Sequence, residues 1–85
     1  MTKWIVELNF DEDEDYTQAV ATLKAPDGRE LRGLGQSRRN PDDKPVTQIG
    51  EEVAGARALS SLAHELLDYA AAEIEKNVRR GDPAI

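Results

Sequence analysis

The sequence predicts an α+β fold in which a three-stranded antiparallel sheet is covered on one face by one long C-terminal helix. Residues 1–37 contain three short segments with the period-two alternation of half-buried strands. Residues 49–79 then carry apolar side chains at spacings of three and four, which is the periodicity of a buried helix face. The element order β-β-β-α fits a single domain that spans residues 1–85.

The first strand is predicted at about residues 3–11. Its alternating apolar side chains are Trp4, Val6, Leu8 and Phe10. Alternation of this kind is typical of a strand with one buried face. The acidic run at residues 11–15 ends the strand, because like charges in a row favour a solvated connection.

The second and third strands are predicted at about residues 16–25 and 29–37, joined by a Pro-Asp-Gly turn at residues 26–28. Their expected inner-face residues are Thr17, Ala19, Ala21 and Leu23 on one strand, and Leu31, Gly33 and Gly35 on the other. Glycine weakens a strand unless another backbone comes close to it. We therefore predict that the helix lies directly across Gly33 and Gly35.

A polar, proline-punctuated loop at residues 38–47 leads into a helix at about residues 49–79. The first turn of this helix is expected to carry Glu51 and Glu52, whose charges suit the positive end of the helix dipole. The glycine and proline within residues 81–83 form a stop signal. A helix of about 30 residues spans about 45 Å, and a nine-residue strand only about 30 Å. One end of the helix should therefore project past the sheet.

The predicted helix carries two apolar stripes. The wider stripe, which we expect to face the sheet, consists of Ile49, Val53, Ala56, Ala63, Leu67, Ala70, Ile74 and Val78. The second stripe consists of Leu59, Leu62, Leu66 and Tyr69. One sheet should not reach both stripes, so we predict that the second stripe forms a homodimer contact, since such interfaces are apolar and isologous. The alternatives are that Leu59 and Leu66 merely flank the core, or that a different protein occupies this surface.

The chain has 85 residues, no cysteine and a formal net charge of −6. Without cysteine, neither disulfides nor thiolate metal sites can support so small a core, and oligomerisation is the common remaining support. No segment has the character of a signal peptide or of a bilayer span. We predict a cytoplasmic protein without membrane contacts. The acidic balance weighs against a dedicated nucleic-acid binder.

No pattern in the chain predicts catalysis. Nucleophilic catalysis needs an activated side chain beside a base, and the only histidine, His64, falls on the polar side of the helix. His64 and Asp68, one turn apart, are too few ligands for a metal site. The acidic run at residues 11–15 lacks the ligand spacing of a calcium loop. We predict a non-enzymatic protein with no cofactor, no metal and no small-molecule substrate.

The best candidate for a binding site is a cluster of arginines on the third strand and the loop after it. Its members are Arg29, Arg32, Arg38 and Arg39. Arginine binds phosphate and carboxylate groups bidentately, so the cluster is a candidate phosphate- or RNA-binding surface. The alternative is that these arginines pair with the protein's own acidic residues. RNA binding is favoured if the four side chains share one exposed face that no acidic group covers.

The sequence resembles a small actinobacterial family of unknown function that has mycobacterial members. The segments that carry the resemblance are Trp4-Ile5-Val6-Glu7, Arg32-Gly33-Leu34-Gly35, Ile49-Gly50-Glu51-Glu52, Ala56-Arg57-Ala58-Leu59 and Leu62-Ala63-His64-Glu65-Leu66-Leu67. The resemblance implies a compact α+β fold that forms dimers. It also implies a topology similar to that of double-stranded-RNA-binding domains and ribosome-hibernation factors, and a link to dormancy or low-oxygen stress.

One departure from the RNA-binding pattern bears on function. A double-stranded-RNA-binding domain presents lysines at the start of its last helix, where this chain has Glu51 and Glu52. We therefore predict, first, a dimeric non-enzymatic protein with a stress- or dormancy-linked binding role. The second prediction is an RNA- or ribosome-associated factor that uses the arginine cluster.

Overall fold

The computed structural model of the chain describes residues 1–40 and 46–79. The elements are strands β1 (Val6–Glu12), β2 (Tyr16–Lys24) and β3 (Glu30–Arg38), followed by helix α1 (Thr47–Arg79). The strands form one antiparallel sheet in the order β1-β2-β3, so the predicted α+β fold is confirmed. Parts of two predictions, the loop at residues 41–45 and the helix stop at residues 81–83, lie outside the described residues.

Strand β1 begins three residues later than the sequence predicts. In the antiparallel register Val6 lies opposite Leu23, one residue before the end of β2. Residues before Val6 therefore have almost no strand left to pair with. Trp4 lies before the strand, and its side chain is 53% exposed.

The turn between β2 and β3 forms as the Pro-Asp-Gly motif predicts. The Gly28 amide donates to the Ala25 carbonyl at 3.0 Å, and the Ala25 amide donates to the Arg29 carbonyl at 2.7 Å. Gly28 has a φ of 89°, a conformation that a residue without Cβ adopts freely. Asp27 accepts a hydrogen bond from the Arg29 amide at 3.1 Å, which closes the turn locally.

The contact between helix and sheet is a close approach of two backbones. A Cβ atom built on Gly33 would overlap the backbone of Ala58 and Leu62, and one built on Gly35 would overlap that of Ala54 and Ala58. The predicted passage of the helix across both glycines is therefore confirmed. The core formed here consists of Ala19, Ala21, Leu23, Ala54, Ala58 and Leu62, with Leu8, Leu31 and Leu66 packed against it.

The prediction of which helix face meets the sheet is wrong. Ile49, Leu67 and Ile74, from the stripe expected inside, are 58%, 67% and 49% exposed. Ala54 and Ala58 are fully buried in their place. The physical reason is distance: a helix that rests its backbone on two glycines has room for alanine at the contact, whereas larger side chains would hold it away.

The helix is longer than the sheet that carries it. Its 33 residues give a length of about 50 Å, and the molecule measures 58 × 23 × 18 Å. The residues at 70–78 are all exposed, as expected for an end that projects past the sheet. The helix begins at Thr47 and has no acidic residue in its first turn, so the prediction that Glu51 and Glu52 occupy that turn is wrong.

Gly35→Ala tests the backbone contact. We expect it to lower the free energy of unfolding by about 3 kcal/mol, because its Cβ has no space under the helix. Gly55→Ala is the matched control, since its Cβ would lie 3.4 Å from the Phe10 ring, an ordinary contact. That control should raise stability by up to about 1 kcal/mol through helix propensity. Equal effects of the two substitutions in urea unfolding would contradict the contact.

Candidate functional site

The side of α1 that faces away from the sheet is apolar along most of its length. This outer stripe consists of Ile49, Val53, Ala56, Ser60, Ala63, Leu67, Ala70 and Ile74. Leu67, for example, follows the buried Ala58 by nine residues, about two and a half turns, and therefore points the opposite way. The helix is nevertheless not a membrane span: in residues 46–79, as in 1–40, no helix combines the length and the hydropathy needed to cross a bilayer.

The outer stripe has the spacing of a coiled-coil seam. Its members recur at alternating intervals of four and three residues, which is a heptad repeat. Size varies along the stripe. Ala63, Leu67, Ala70 and Ile74 alternate between small and large, whereas Ala56, Ser60 and Ala63 form a run of small residues. Such a seam normally packs against another helix.

Strand β1 adds a second exposed apolar area beside the helix. Val6 and Phe10 lie opposite Leu23 and Ala19 of β2, so they belong to the face of the sheet that carries α1. The helix packs on β2 and β3 and contacts β1 least. Val6 and Phe10 each remain 39% exposed as a result. The apolar surface of the protein therefore continues from the helix flank onto the uncovered strand.

The four residues predicted as a dimer interface lie in different environments. Leu62 is part of the core and only 5% exposed, so its assignment to a partner surface is wrong. Leu66 packs against that core, and the guanidinium of Arg29 lies 4.3 Å from the centre of the Tyr69 ring. Leu59 is 42% exposed. The close helix–sheet approach turns this stripe toward the sheet, which leaves Leu59 the most accessible of the four.

The arginine cluster does not form one exposed face. Strand alternation places Arg32 and Arg38 on the sheet face opposite α1, whereas Arg29 and Arg39 lie beyond the two ends of β3. Arginines of this cluster form ion pairs with nearby carboxylates: Arg29 with Asp27 and with Glu73 (2.6 Å to Glu73), Arg32 with Glu30 (2.8 Å) and Arg39 with Asp15 (2.6 Å). This arrangement does not favour RNA binding by the four arginines together.

A cleft of about 540 Å³ opens where the start of α1 passes the ends of the strands. Glu12, at the end of β1, belongs to this cleft. Burial, a hydrogen bond with Glu51 and repulsion from the charge of Glu51 together raise the pKa of Glu12 above its ordinary value of 4.5. On the other side Arg57 donates from Nη1 to the Gln36 carbonyl at 2.7 Å. Within residues 1–40 and 46–79 no group of three acidic or histidine ligands is arranged for a metal ion.

The approach of Glu12 to Glu51 was missed by the sequence analysis. The sequence contained one signal for it: if the alternation of β1 extends to Glu12, this side chain lies on the same face as Phe10. The acidic run at residues 11–15 hid that signal, because its neighbouring charges favour a loop.

Comparison with known proteins identifies relatives over almost the full chain. A model of the Rv2632c-like family matches residues 2–83. The uncharacterised protein Mb1767 of Mycobacterium bovis is 42% identical over 72 residues, which cover 85% of this chain and 76% of that protein. The uncharacterised protein Rv2632c of Mycobacterium tuberculosis is 39% identical over 75 residues, 88% of this chain and 80% of that protein.

A solved structure is similar as well. The crystal structure of Rv2632c matches with a TM-score of 0.82 and 38% identity, over 91% of this chain and 90% of that one. The predicted resemblance to a mycobacterial family of unknown function is therefore confirmed. The similarity to double-stranded-RNA-binding domains and hibernation factors stays a prediction.

Glu12→Gln tests the carboxyl pair. A folded-state pKa above the unfolded value means that the site favours folding below the unfolded pKa, and that this contribution is lost as the pH rises through the folded pKa. Glutamine cannot ionise, so we expect the variant to melt at a slightly higher temperature than the parent at pH 7. The difference should vanish near pH 4. Glu7→Gln, on the opposite face of β1, is the matched control, and an equal gain from it would show that only net charge matters.

Proposed function

This chain belongs to the Rv2632c-like family, and we propose that it is a non-enzymatic protein that acts as a homodimer. The observation that carries the proposal is the outer stripe of α1, with Ile49, Leu67 and Ile74 all about half exposed or more. Single exposed apolar residues are ordinary on protein surfaces, but a continuous apolar strip along a helix marks an interaction surface.

The composition of the core supports the same proposal. Within the described residues the buried apolar side chains are four alanines and two leucines, Leu23 and Leu62. Alanine buries little apolar area, and each buried CH₂ group contributes only about 0.8 kcal/mol. An 85-residue chain already buries a smaller share of its surface than larger domains do. A second copy that covers the outer stripe would therefore supply apolar burial that the single chain lacks.

We propose in addition that the dimer has a stress- or dormancy-linked binding role. It comes from the family resemblance, and the relatives carry no described activity. Such a role requires the protein to accumulate in oxygen-limited or resting cells. A level that stays constant between growing and oxygen-limited cultures would count against it.

The RNA- or ribosome-associated role remains the second proposal. Arg32 and Arg38 stand on the open face of the sheet, together with Gln18, Gln36 and Tyr16, and this face can meet a polar ligand. The ion pair between Arg32 and Glu30 offsets the positive charge of Arg32 and so weakens the attraction of this face for phosphate. RNA binding predicts retention on a mixed RNA pool at low salt that fades as salt rises. No retention at low salt would end this alternative.

Leu67→Glu combined with Ile74→Glu tests the homodimer. Light scattering should find a dimer for the parent protein and a monomer for the variant, because two carboxylates would have to enter an apolar interface. We expect a loss of at least about 100-fold in dimer affinity, since each 1.4 kcal/mol is about tenfold. The helix should still form in circular dichroism, because both residues point away from the core.

Gln48→Glu combined with Ala72→Glu is the matched control. It adds the same charge at two exposed positions of α1 outside the outer stripe. We expect it to remain dimeric. A parent protein that is monomeric at high concentration, or a stripe variant that dimerises as well as the control, would contradict the proposal.

A further inference from the structure

We propose that the outer stripe pairs with the outer stripe of a second copy as an antiparallel helix pair in one defined register. This inference rests on the proposed homodimer and specifies its geometry. In the register Val53 of one copy faces Ala70 of the other, Ser60 faces Ala63, Leu67 faces Ala56, and Ile74 faces Ile49. Each pairing occurs twice, because a two-fold axis relates the copies.

The heptad spacing identifies a helix as the occupant of this surface. Positions four and three apart lie on one side of any helix. An apolar heptad seam of eight positions on the side that the protein's own sheet does not cover is the pattern that paired helices bury. The one long helix available to every copy is α1 itself, with 33 residues.

The variation in size along the stripe selects the antiparallel orientation. Side by side in a parallel pair, Leu67 would meet Leu67 and Ala56 would meet Ala56. Wide layers would then alternate with empty ones, and a cavity beside a leucine is costly. In the antiparallel pair Leu67 meets Ala56 and Val53 meets Ala70, so four of the eight layers place a large side chain against a small one. The Ser60–Ala63 layers at the centre are narrow, the Ile49–Ile74 layers at the ends are wide, and layer width therefore changes gradually along the pair.

The ends of the stripe select the register. With Leu67 opposite Ala56, Ile74 of each copy faces Ile49 of the other, so all eight positions of the stripe are used. A shift by one heptad in one direction would place Val53 opposite the polar Asn77 and would leave Ile49 without a facing residue in α1. The opposite shift would leave Ala70 and Ile74 without facing residues in α1. The chosen register also lays the projecting end of each helix, with its exposed Ile74, along the first turns of the other helix.

The flanks of the seam agree with this arrangement. On the side next to β1, Leu59 of one copy comes beside Leu66 of the other, which continues the apolar contact. Further out, Glu52 approaches Glu73 of the other copy. Glu73 is already paired with Arg29 at 2.6 Å, and this pairing reduces the repulsion between the two carboxylates.

The contact lies at the lower end of the size range of specific interfaces. From Ile49 to Ile74 the stripe runs about 38 Å along a helix about 10 Å wide, so it projects to roughly 400 Å² on each copy. Projection understates accessible area, and Leu59 and Phe10 widen the surface at its flank. The total therefore approaches the ~1,000 Å² expected of a specific interface. The assembly has four layers: sheet, helix, helix, sheet.

Engineered cysteines test the register cleanly, because the chain contains none of its own. Val53→Cys with Ala70→Cys should give a disulfide-linked dimer on mild oxidation, since a disulfide needs Cα atoms about 4.4–6.8 Å apart. Ala70→Cys alone should not crosslink, because in the antiparallel register its two copies lie about 25 Å apart along the axis. Val53→Cys with Asn77→Cys reports the register shifted by one heptad and should also stay unlinked.

Each outcome is decisive when the same variants are first sized in their reduced form. Dimers that crosslink only through positions 53 and 70 support the inference. Crosslinking of Ala70→Cys alone indicates a parallel pair, and crosslinking through positions 53 and 77 indicates the shifted register; either result overturns the inference. Reduced dimers in which no variant crosslinks also overturn it, while the homodimer itself stands. A reduced parent protein that is monomeric removes the homodimer and with it the register.

Discussion

The close contact between helix α1 and strand β3 determines most other features of this protein. Two glycines, Gly33 and Gly35, let the helix backbone rest directly on the strand. That approach leaves room for alanine at the contact, which fixes the rotation of the helix about its axis. Ala54 and Ala58 are buried as a result, and the larger residues of the wider stripe are turned outward.

The rotation of the helix has a consequence for stability and another for function. A core built mainly of alanine packs tightly but removes little apolar surface from water. The apolar surface that it leaves out is arranged as a heptad seam on the outer side of α1, with exposed β1 beside it. The same glycines that make the chain compact therefore give it a surface suited to a second copy. Family membership defines the fold of this chain, and a fold by itself does not determine a function.

The strands and their inner faces could be predicted from sequence, because period-two alternation and the turn at Gly28 are local signals. The contact over Gly33 and Gly35 could also be predicted, since glycine weakens a strand unless another backbone comes close to it. The rotation of the helix about its own axis could not be predicted from sequence. Both of its stripes have helical spacing, and the longer one, from Ile49 to Val78, is the one that faces away from the sheet. The distance between helix and sheet is needed to decide which face of the helix meets the sheet.

The candidate binding residues show the same difference between local sequence signals and long-range packing. Arginine side chains such as Arg29 could be listed from the sequence, but its partner Glu73 lies 44 residues away, and only the fold brings them together. Leu62 was predicted at a dimer interface, and the orientation of the helix places it in the core. Local pattern thus identifies which residues are apolar or charged, while long-range packing decides which of them remain available to a partner.

Hydrogen exchange of the α1 backbone at several protein concentrations tests the central claim most directly. Residues 70–78 are exposed and lie past the sheet, so in a single chain their amides have little tertiary protection. If a second copy covers the outer stripe, protection of this segment should rise with protein concentration, and protection of β2 should rise less. Exchange of residues 70–78 that is fast and independent of concentration would contradict the account.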